Sequence, residues 1–132
     1  MRKNELIEIA KDAQSKAYAP YSNFRVGAAL VSKSGKIYTG CNVENSSYSL
    51  TCCAERVAIF KAISEGETKF KSITIVGDAT DYTPPCGACR QVLYDLGGPD
   101  LIVYLVHPKG KVKKLTCEEL VPFPFGSSHL SD

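Results

Sequence analysis

Three cysteines and one glutamate stand at spacings that favour a catalytic metal site. Cys53 comes two residues before Glu55, and Cys86 and Cys89 form a Cys-x-x-Cys motif behind a pair of prolines. A catalytic zinc has three protein ligands and one position left for water or substrate, whereas a structural zinc takes a fourth protein ligand. The spacing therefore predicts a zinc ion held by Cys53, Cys86 and Cys89, with Glu55 beside it to carry protons.

The spacing also restricts how the supporting helices are arranged. Cys86 and Cys89 are three positions apart and can share one side of a helix. Cys53 and Glu55 are two positions apart, so one metal can lie near both only if it sits off the end of their helix. Helix N-termini carry partial positive charge and depress the pKa of a thiol. We therefore predict that two helix N-termini converge on the metal.

Arg56 follows this motif directly and is a candidate outer-shell cation. Three thiolates carry more negative charge than one divalent cation balances, which weakens the metal as a Lewis acid. Arg56 can donate hydrogen bonds to the sulfurs, and we hypothesise that it offsets the excess charge. The simpler interpretations are a surface arginine for Arg56 and a glutamate that only complements the helix dipole for Glu55.

Size and charge favour a single domain that acts on a small molecule. The 132 residues suit one domain over residues 1–132. There are 16 basic and 14 acidic residues, and the one basic cluster, 109–114, is typical of a solvated turn or strand edge. A polynucleotide-binding domain is usually more basic. The sequence contains no apolar run long enough to span a membrane and no export signal, so we expect a cytoplasmic protein without membrane or nucleic-acid partners.

The remaining cysteines leave two alternatives to a catalytic metal site. A disulfide framework is disfavoured because the cytoplasm keeps thiols reduced. A structural zinc would need a fourth ligand. The candidates by composition are Cys41, Cys117, His107 and His129. None of them stands at a recognisable ligand spacing, and Cys52 is adjacent to Cys53, where both side chains rarely reach one metal. We interpret Cys41, Cys52 and Cys117 as small buried hydrophobic residues.

Hydrophobic periodicity predicts alternating helices and strands. Apolar positions from Leu6 to Ala17 predict a first helix that Pro20 ends. Further helices are predicted at 53–65, opened by Thr51, at 87–96, and from Thr116. Strands are predicted at 24–31, 36–41, 71–76, 101–106 and near Val112. A hairpin followed by strand–helix alternation predicts an α/β fold, a three-layer α/β/α sandwich with a mixed sheet of about five strands.

In combination these motifs resemble the short, homotetrameric type of cytidine deaminase. The likeness extends over 19–30, 40–48 and 120–125 and includes Asn42-Val43-Glu44-Asn45. Zinc deaminases share the metal signature, with His or Cys as the first ligand. The first ligand here is Cys53, which favours the tetrameric type and a free nucleoside over the longer two-domain and polynucleotide deaminases.

The resemblance implies a reaction and its cofactor. The expected activity is zinc-dependent hydrolytic deamination of cytidine, and of 2′-deoxycytidine, in pyrimidine salvage. One Zn²⁺ per subunit is expected, and Glu55 would pass protons to N3 of the pyrimidine and to the leaving amine.

The resemblance also implies the substrate contacts. The matching residues are Phe24 against the base, Asn42 and Glu44 on the ribose hydroxyls, and Ala54 with the carbonyl after Pro84-Pro85 on the base edge. An amide and a carboxylate offer a donor and an acceptor to a diol. Without the other motifs, Asn42 and Glu44 would be interpreted as a polar strand end and Phe24 as core.

The apolar C-terminal segment, 121–125, is expected to be covered. By the resemblance Phe125, like the loop around Tyr48, reaches the active site of a neighbouring subunit, which places the active sites of a homotetramer at subunit boundaries. The simpler alternative is a tail folded back on its own core.

Three rival functions differ in what they require. A deaminase of another small molecule, such as blasticidin S, does not need the Asn-Val-Glu-Asn ribose motif. An editing deaminase would be more basic. A zinc-stabilised binding module without catalysis should unfold when its metal is removed, whereas a deaminase should lose activity and largely keep its fold.

Overall fold

The computed structural model describes residues 2–130, and a five-stranded sheet forms its centre. The helices are α1 (Lys3–Gln14), α2 (Ala54–Ser64), α3 (Gly87–Gly97) and α4 (Cys117–Leu120). The strands are β1 (Val26–Ser32), β2 (Ile37–Cys41), β3 (Phe70–Gly77), β4 (Ile102–Val106) and β5 (Val112–Thr116). Short 3-10 turns lie at Tyr48–Leu50 and Ser127–His129.

The sheet is mixed, with strand order β2-β1-β3-β4-β5. The first strand pairs antiparallel with both β2 and β3, β3 and β4 are parallel, and β5 is antiparallel to β4. A crossover helix between parallel strands must cover one face of the sheet, and α3 has this role between β3 and β4. The predicted three-layer α/β/α sandwich with a mixed five-stranded sheet is confirmed.

Alternate residues of each central strand face opposite helical layers. On one face Ala29 and Val76 pack with Leu6, Ile7 and Ala10 of α1. On the other face the buried cluster joins the sheet to α2 and α3. Its fully buried members include Leu30, Ile59, Ile73, Ile75, Leu93 and Val103. This strand alternation of period two is why both faces are apolar and covered.

One edge of the sheet collects the segments that carry the chemical motifs. Because β1 runs antiparallel to β2 and β3, the chain before β1 meets the chain after β2 and after β3 at the same edge. The segment before β1 contains Phe24, and the segment after β2 contains Asn42 and Glu44. The segment after β3 is the loop that leads to Cys86. The N-terminus of α2 is brought there by Gly40, where an added Cβ would lie 2.2 Å from the Ala54 carbonyl oxygen. Only glycine permits this close approach.

Two predicted helix boundaries were wrong. The first helix ends at Gln14 instead of continuing to Ala17, because the chain leaves it to form a bridge between Tyr18 and Val43. Thr51 does not open α2. Cys53 is the N-cap of that helix, while the Thr51 hydroxyl accepts a hydrogen bond from the Asn45 amide at 3.2 Å.

The large apolar side chains of the C-terminal segment are not packed on the core. Phe123 is fully exposed, and Phe125 and Leu130 are 55% and 77% exposed. The alternative of a tail packed on its own domain is therefore wrong for these side chains. Among residues 2–130 no helix combines the length and apolar character needed to cross a bilayer.

Candidate active site

Each of the three metal-ligand candidates lies at or near the start of a helix. Cys53 is the N-cap of α2 and Cys86 is the N-cap of α3. Cys89 lies in the first turn of α3, and its amide donates to the Cys86 sulfur at 3.5 Å. Arg90 fixes the backbone just before α3, since its Nε donates a hydrogen bond to the Pro85 carbonyl at 2.8 Å. Two helix N-termini thus converge on one point.

The three sulfurs have a geometry that fits a zinc ion. All three Sγ atoms lie within 4.8 Å of one another, and those of Cys53 and Cys86 are 3.9 Å apart. Thiolates at about 2.3 Å from a tetrahedral zinc would be about 3.8 Å apart. The separation excludes a disulfide, which needs sulfurs at about 2.05 Å, and all six cysteines are free.

No further protein ligand joins this cluster in the described part of the chain. The group contains Cys53, Cys86 and Cys89 alone, without a histidine, a carboxylate or another thiol at ligand distance. Cys117 is buried, as expected for a small hydrophobic residue, but Cys41 and Cys52 are only half-buried. A donor set of three thiols leaves a coordination position for a non-protein ligand, as in catalytic zinc sites.

Arg56 faces the cluster from the first turn of α2. Its Nη2 donates to the Cys53 sulfur at 3.3 Å and to the Thr51 carbonyl at 3.4 Å. Its Nε is buried and has no partner among residues 2–130. The hydrogen bond to the Cys53 sulfur raises the pKa of the guanidinium above its already high value, so this side chain is a permanent cation beside the sulfurs.

The thiols of Cys53 and Cys89 differ in their pKa when no metal is bound. Hydrogen bonds from Cys89, and then from Arg56, lower the pKa of Cys53 to about 5 against the opposing effect of burial. The same contact raises the pKa of Cys89, because Cys89 is the donor to the Cys53 thiolate. Cys53 is therefore a thiolate ready for a cation, and Cys89 releases its proton when that cation binds.

Glu55 is buried beside the sulfurs, with 4% of its surface exposed. Burial, with a smaller effect of the Cys53 charge, raises the pKa of its carboxyl to about 7, although hydrogen bonds from its own backbone amide and from Cys89 oppose the shift. A carboxyl with a pKa near neutrality can both accept and donate a proton at working pH. This combination of burial and a charged neighbour is typical of catalytic acids and bases.

A cleft of about 310 Å³ lies directly over these groups. Its walls come from α2, from the loop before α3, and from the segments flanking β1 and β2. The lining residues include Phe24, Asn42, Glu44, Cys53, Ala54, Glu55, Thr83, Pro84 and Cys86. The cleft therefore brings the predicted proton carrier and two of the predicted ligands together with most of the predicted substrate contacts.

Asn42 and Glu44 are both fixed by hydrogen bonds at the cleft. The side-chain oxygen of Asn42 accepts a hydrogen bond from the Val26 backbone N–H at 2.9 Å, and its side-chain nitrogen donates to the Phe24 carbonyl at 2.8 Å. One donor and one acceptor of this amide remain for a ligand. The Glu44 carboxylate accepts from the Ser22 hydroxyl and from the Tyr21 amide, the latter at 2.9 Å. The Ser22 hydroxyl bond holds the pKa of Glu44 below its usual range.

Of the three aromatic residues predicted to contact the substrate, only Phe24 lines the cleft over the sulfurs. Phe24 is 37% exposed. Tyr48 is 73% exposed and packs edge-on against Tyr21 at 5.7 Å, beside an adjoining cleft of about 330 Å³ that shares Glu44. Phe125 lines neither cleft. Within one protomer, Tyr48 and Phe125 are therefore not brought to the sulfurs.

Four residues that line the cleft were not predicted as site residues from the sequence: Ser22, Val26, Thr51 and Thr83. Ser22 positions Glu44 through its hydroxyl and amide, and its only sequence signal was its place in the segment 19–30. Thr83 lines the cleft, and its Oγ1 is buried without a partner in the described residues. Thr83 packs against Gly77, where an added Cβ would lie 2.3 Å from that oxygen. A close approach of this kind depends on tertiary structure and leaves no local pattern.

A larger cleft, of about 680 Å³, lies at the opposite edge of the sheet. Lysines and the turn before β4 line it, and it contains no metal-ligand group. Size therefore does not identify the reactive site in this protein, whereas the convergence of thiols and a buried carboxyl does.

Comparison with known proteins identifies the family of this chain. Residues 1–105 match the family model described as the cytidine and deoxycytidylate deaminase zinc-binding region. A cytidine deaminase of Sporosarcina psychrophila is 47% identical, over 96% of this chain and 93% of that protein. A crystal structure of cytidine deaminase from Burkholderia pseudomallei superposes with a TM-score of 0.92 at 50% identity, covering 95% of this chain and 100% of that one. A blasticidin-S deaminase of Bacillus cereus is 35% identical, over 92% and 90% of the two chains.

Proposed function

Because the chain belongs to the cytidine and deoxycytidylate deaminase family, we propose that it catalyses the hydrolytic deamination of cytidine and 2′-deoxycytidine. Water adds its oxygen to C4 of the pyrimidine, the bond from C4 to the exocyclic nitrogen breaks, and ammonia leaves. The products are uridine and 2′-deoxyuridine, which gives the enzyme a role in pyrimidine salvage. The observation that carries this proposal is the three-thiol cluster beside a buried carboxyl, at the floor of a cleft.

Cys53, Cys86 and Cys89 are proposed to hold one Zn²⁺ per subunit. When bound, the zinc supplies Lewis-acid activation of water. The protein contributes an arrangement that suits this chemistry: two helix N-termini that favour thiolates, and a guanidinium hydrogen-bonded to the sulfur of Cys53.

Glu55 is proposed to move protons during the reaction. Its carboxylate takes a proton from the attacking water and delivers protons to N3 and to the departing amine. In the zinc-free protein its pKa of about 7 lies near neutrality, and a carboxyl beside a metal-bound water is a suitable carrier of protons. Its burial excludes bulk water, which would otherwise compete for these hydrogen bonds.

The cleft is proposed to orient the nucleoside by contacts at both ends. Ala54 begins α2, and the first-turn amides of a helix have no intrahelical acceptor, so its N–H can bind the base edge together with a carbonyl of the Pro84-Pro85 segment. Phe24 would pack on the base. Asn42 and Glu44 would bind ribose hydroxyls, for which their positions are already fixed.

We propose that residues 1–132 form a single domain that assembles as a homotetramer in the cytoplasm. The exposed side chains of Phe123 and Phe125, two residues apart in the C-terminal segment, support this assembly, since neighbouring exposed apolar groups mark interaction surfaces. In this arrangement Phe125 and the loop around Tyr48 would complete the active site of a neighbouring subunit. The measurement is the molar mass in solution, and a monomer that is fully active would contradict the proposal.

Replacing Arg56 with alanine should lower kcat more than it raises KM. Outer-shell groups at metal sites typically contribute about tenfold to hundredfold to activity, and Arg56 is hydrogen-bonded to a ligand sulfur. Adding Cys53→His in the same chain should restore part of the lost turnover, because a neutral ligand removes the excess charge. Steady-state kinetics at equal zinc content measure both effects, and a normal kcat for Arg56→Ala would remove the charge-offset role.

Replacing Glu44 with glutamine should lower kcat/KM for cytidine by about 10-fold to 100-fold, the usual contribution of a hydrogen bond to a charged group. The effect should disappear on a deoxynucleoside that lacks the hydroxyl bound by Glu44, so 2′-deoxy- and 3′-deoxycytidine identify that hydroxyl. An unchanged melting temperature controls for the lost Ser22 contact. Unaltered kcat/KM on cytidine would exclude a role for Glu44 in ribose binding.

The function is tested by following the ultraviolet absorbance change on deamination with a panel of substrates. Cytidine and 2′-deoxycytidine should react, whereas CMP, cytosine, blasticidin S and a short single-stranded oligonucleotide should not. Glu55→Ala is the inactive control. Turnover of the oligonucleotide or of blasticidin S instead of cytidine would support the corresponding rival function.

A further inference from the structure

The helix that carries two of the metal-ligand candidates also anchors the C-terminal segment. Cys86 and Cys89 are followed on this helix by Arg90 and Gln91. Arg90 Nη1 donates to the Leu120 carbonyl at 3.4 Å, and Gln91 Nε2 donates to the Phe125 carbonyl at 2.8 Å. The hydrogen bond from Gln91 spans 34 positions of sequence and fixes the backbone of the tail at one particular residue.

That residue presents a large apolar ring to solvent. The Phe125 ring is 55% exposed and stacks on the His129 ring with centroids 5.2 Å apart and planes 17° from parallel. His129 is itself tied to the turn, because its Nδ1 accepts from the Gly126 amide at 3.1 Å. An exposed aromatic side chain normally samples several rotamers, and ordering it on binding costs conformational entropy. Here the backbone is held by Gln91 and one face of the ring by His129, so part of that cost is met before any ligand arrives.

From these contacts we infer that Gln91 is a positioning residue for substrate binding, acting through Phe125. By holding the Phe125 carbonyl, its side-chain amide sets where the ring is presented to a neighbouring subunit's cleft. The inference rests on the proposed function and on its subunit arrangement. This role of Gln91 would link the active sites of two subunits, because the helix that carries Cys86 and Cys89 in one subunit would position Phe125 for the active site of another.

Gln91 is suited to this role by its chemistry and its position. A neutral amide can donate to a carbonyl without introducing a charge beside an apolar ring, which a lysine or arginine would do. Gln91 is only half-buried, so its contribution to the core is small. Its neighbour Arg90 also donates to Pro85, so substitution of Arg90 would disturb the metal site as well and would not isolate the tail.

The test is a double-mutant cycle between Gln91 and Phe125 in the zinc-loaded enzyme. Gln91→Ala should raise KM for cytidine by about twofold to tenfold, the range for one hydrogen bond, with kcat, zinc content and melting temperature unchanged. Gln91→Glu has the same shape without the donor and should raise KM at least as much. Asp95→Ala is the matched control, because Asp95 is exposed on the same helix, and it should leave KM unchanged.

The decisive comparison is made in the Phe125→Ala background. Phe125→Ala alone should raise KM more than Gln91→Ala does, and adding Gln91→Ala should produce no further change beyond twofold. An additive effect, a fall in zinc content, or an unchanged KM in either single variant would overturn the positioning role. A wild-type chain that fails to deaminate cytidine would instead refute the proposed function, so the two failures can be told apart.

Discussion

Glu55→Gln is expected to lower kcat for cytidine by about 10²–10⁴-fold, the contribution typical of a general acid–base group. The amide keeps the shape of the side chain but can neither take a proton from water nor deliver one to N3. Zinc content should be unchanged, because Glu55 is not part of the sulfur cluster. Steady-state kinetics of the zinc-loaded variant measure the fall in kcat.

The same substitution should stabilise the zinc-free protein at neutral and higher pH. Burial raises the pKa of Glu55 from 4.5 to about 7, so the stability associated with its protonated form is fully present below pH 4.5 and is lost as pH rises through about 7. Each pKa unit corresponds to about 1.4 kcal/mol, which gives about 3 kcal/mol above pH 7. Glutamine has no charge to bury and avoids this loss.

Denaturant unfolding of the zinc-free protein at pH 4 and pH 8 separates these effects. Glu55→Gln and the wild type should have similar free energies of unfolding at pH 4, and the variant should be more stable at pH 8. An inactive variant that is also more stable places Glu55 in the chemistry, since unfolding then cannot explain the lost activity. A variant with near-normal kcat would contradict the proposed proton transfer.

Cys86→Ser is expected to abolish both zinc binding and activity. A serine hydroxyl does not ionise as a thiol does, so the cluster loses one of its three donors. The fall in zinc affinity should exceed the roughly 100-fold that outer-shell changes produce. Cys86 is the exposed member of the cluster, so little core packing is lost, and the sheet should remain folded.

Cys41→Ser is the matched control for that variant. Cys41 is half-exposed and lies outside the cluster, so its substitution should leave zinc content and kcat within about twofold, as surface changes usually do. Metal analysis after dialysis, with far-ultraviolet circular dichroism for the fold, measures both variants. Retention of one zinc ion and of activity by Cys86→Ser would mean that the ligand set is a different one.

The sequence was most informative where local chemistry decides the structure. The Cys53–Glu55 spacing predicted a metal beyond a helix end, and Cys53 is indeed the N-cap of α2. The hairpin followed by strand–helix alternation predicted a mixed sheet with helices on both faces, and this is confirmed. The capping signal at Thr116 is also confirmed, with the reciprocal contacts of Thr116 and Glu119.

Features that depend on distant contacts were not predicted. The end of α1 at Gln14 follows from the bridge between Tyr18 and Val43, which no helix signal reveals. The approach of α2 to Gly40 and the hydrogen bond from Gln91 to Phe125 join segments remote in sequence. The exposure of Phe123 and Phe125 likewise depends on where the rest of the chain packs, which the local sequence does not reveal.

The central claim is that zinc held by three thiols makes this chain a cytidine deaminase, and zinc titration of the chelator-stripped protein tests it most directly. Deamination of cytidine, followed by ultraviolet absorbance, should be absent without metal, rise in proportion to added zinc and level off at one zinc per chain. The fold should be largely kept throughout. Full activity in metal-free protein, or a zinc-saturated chain that leaves cytidine unchanged, would contradict the account.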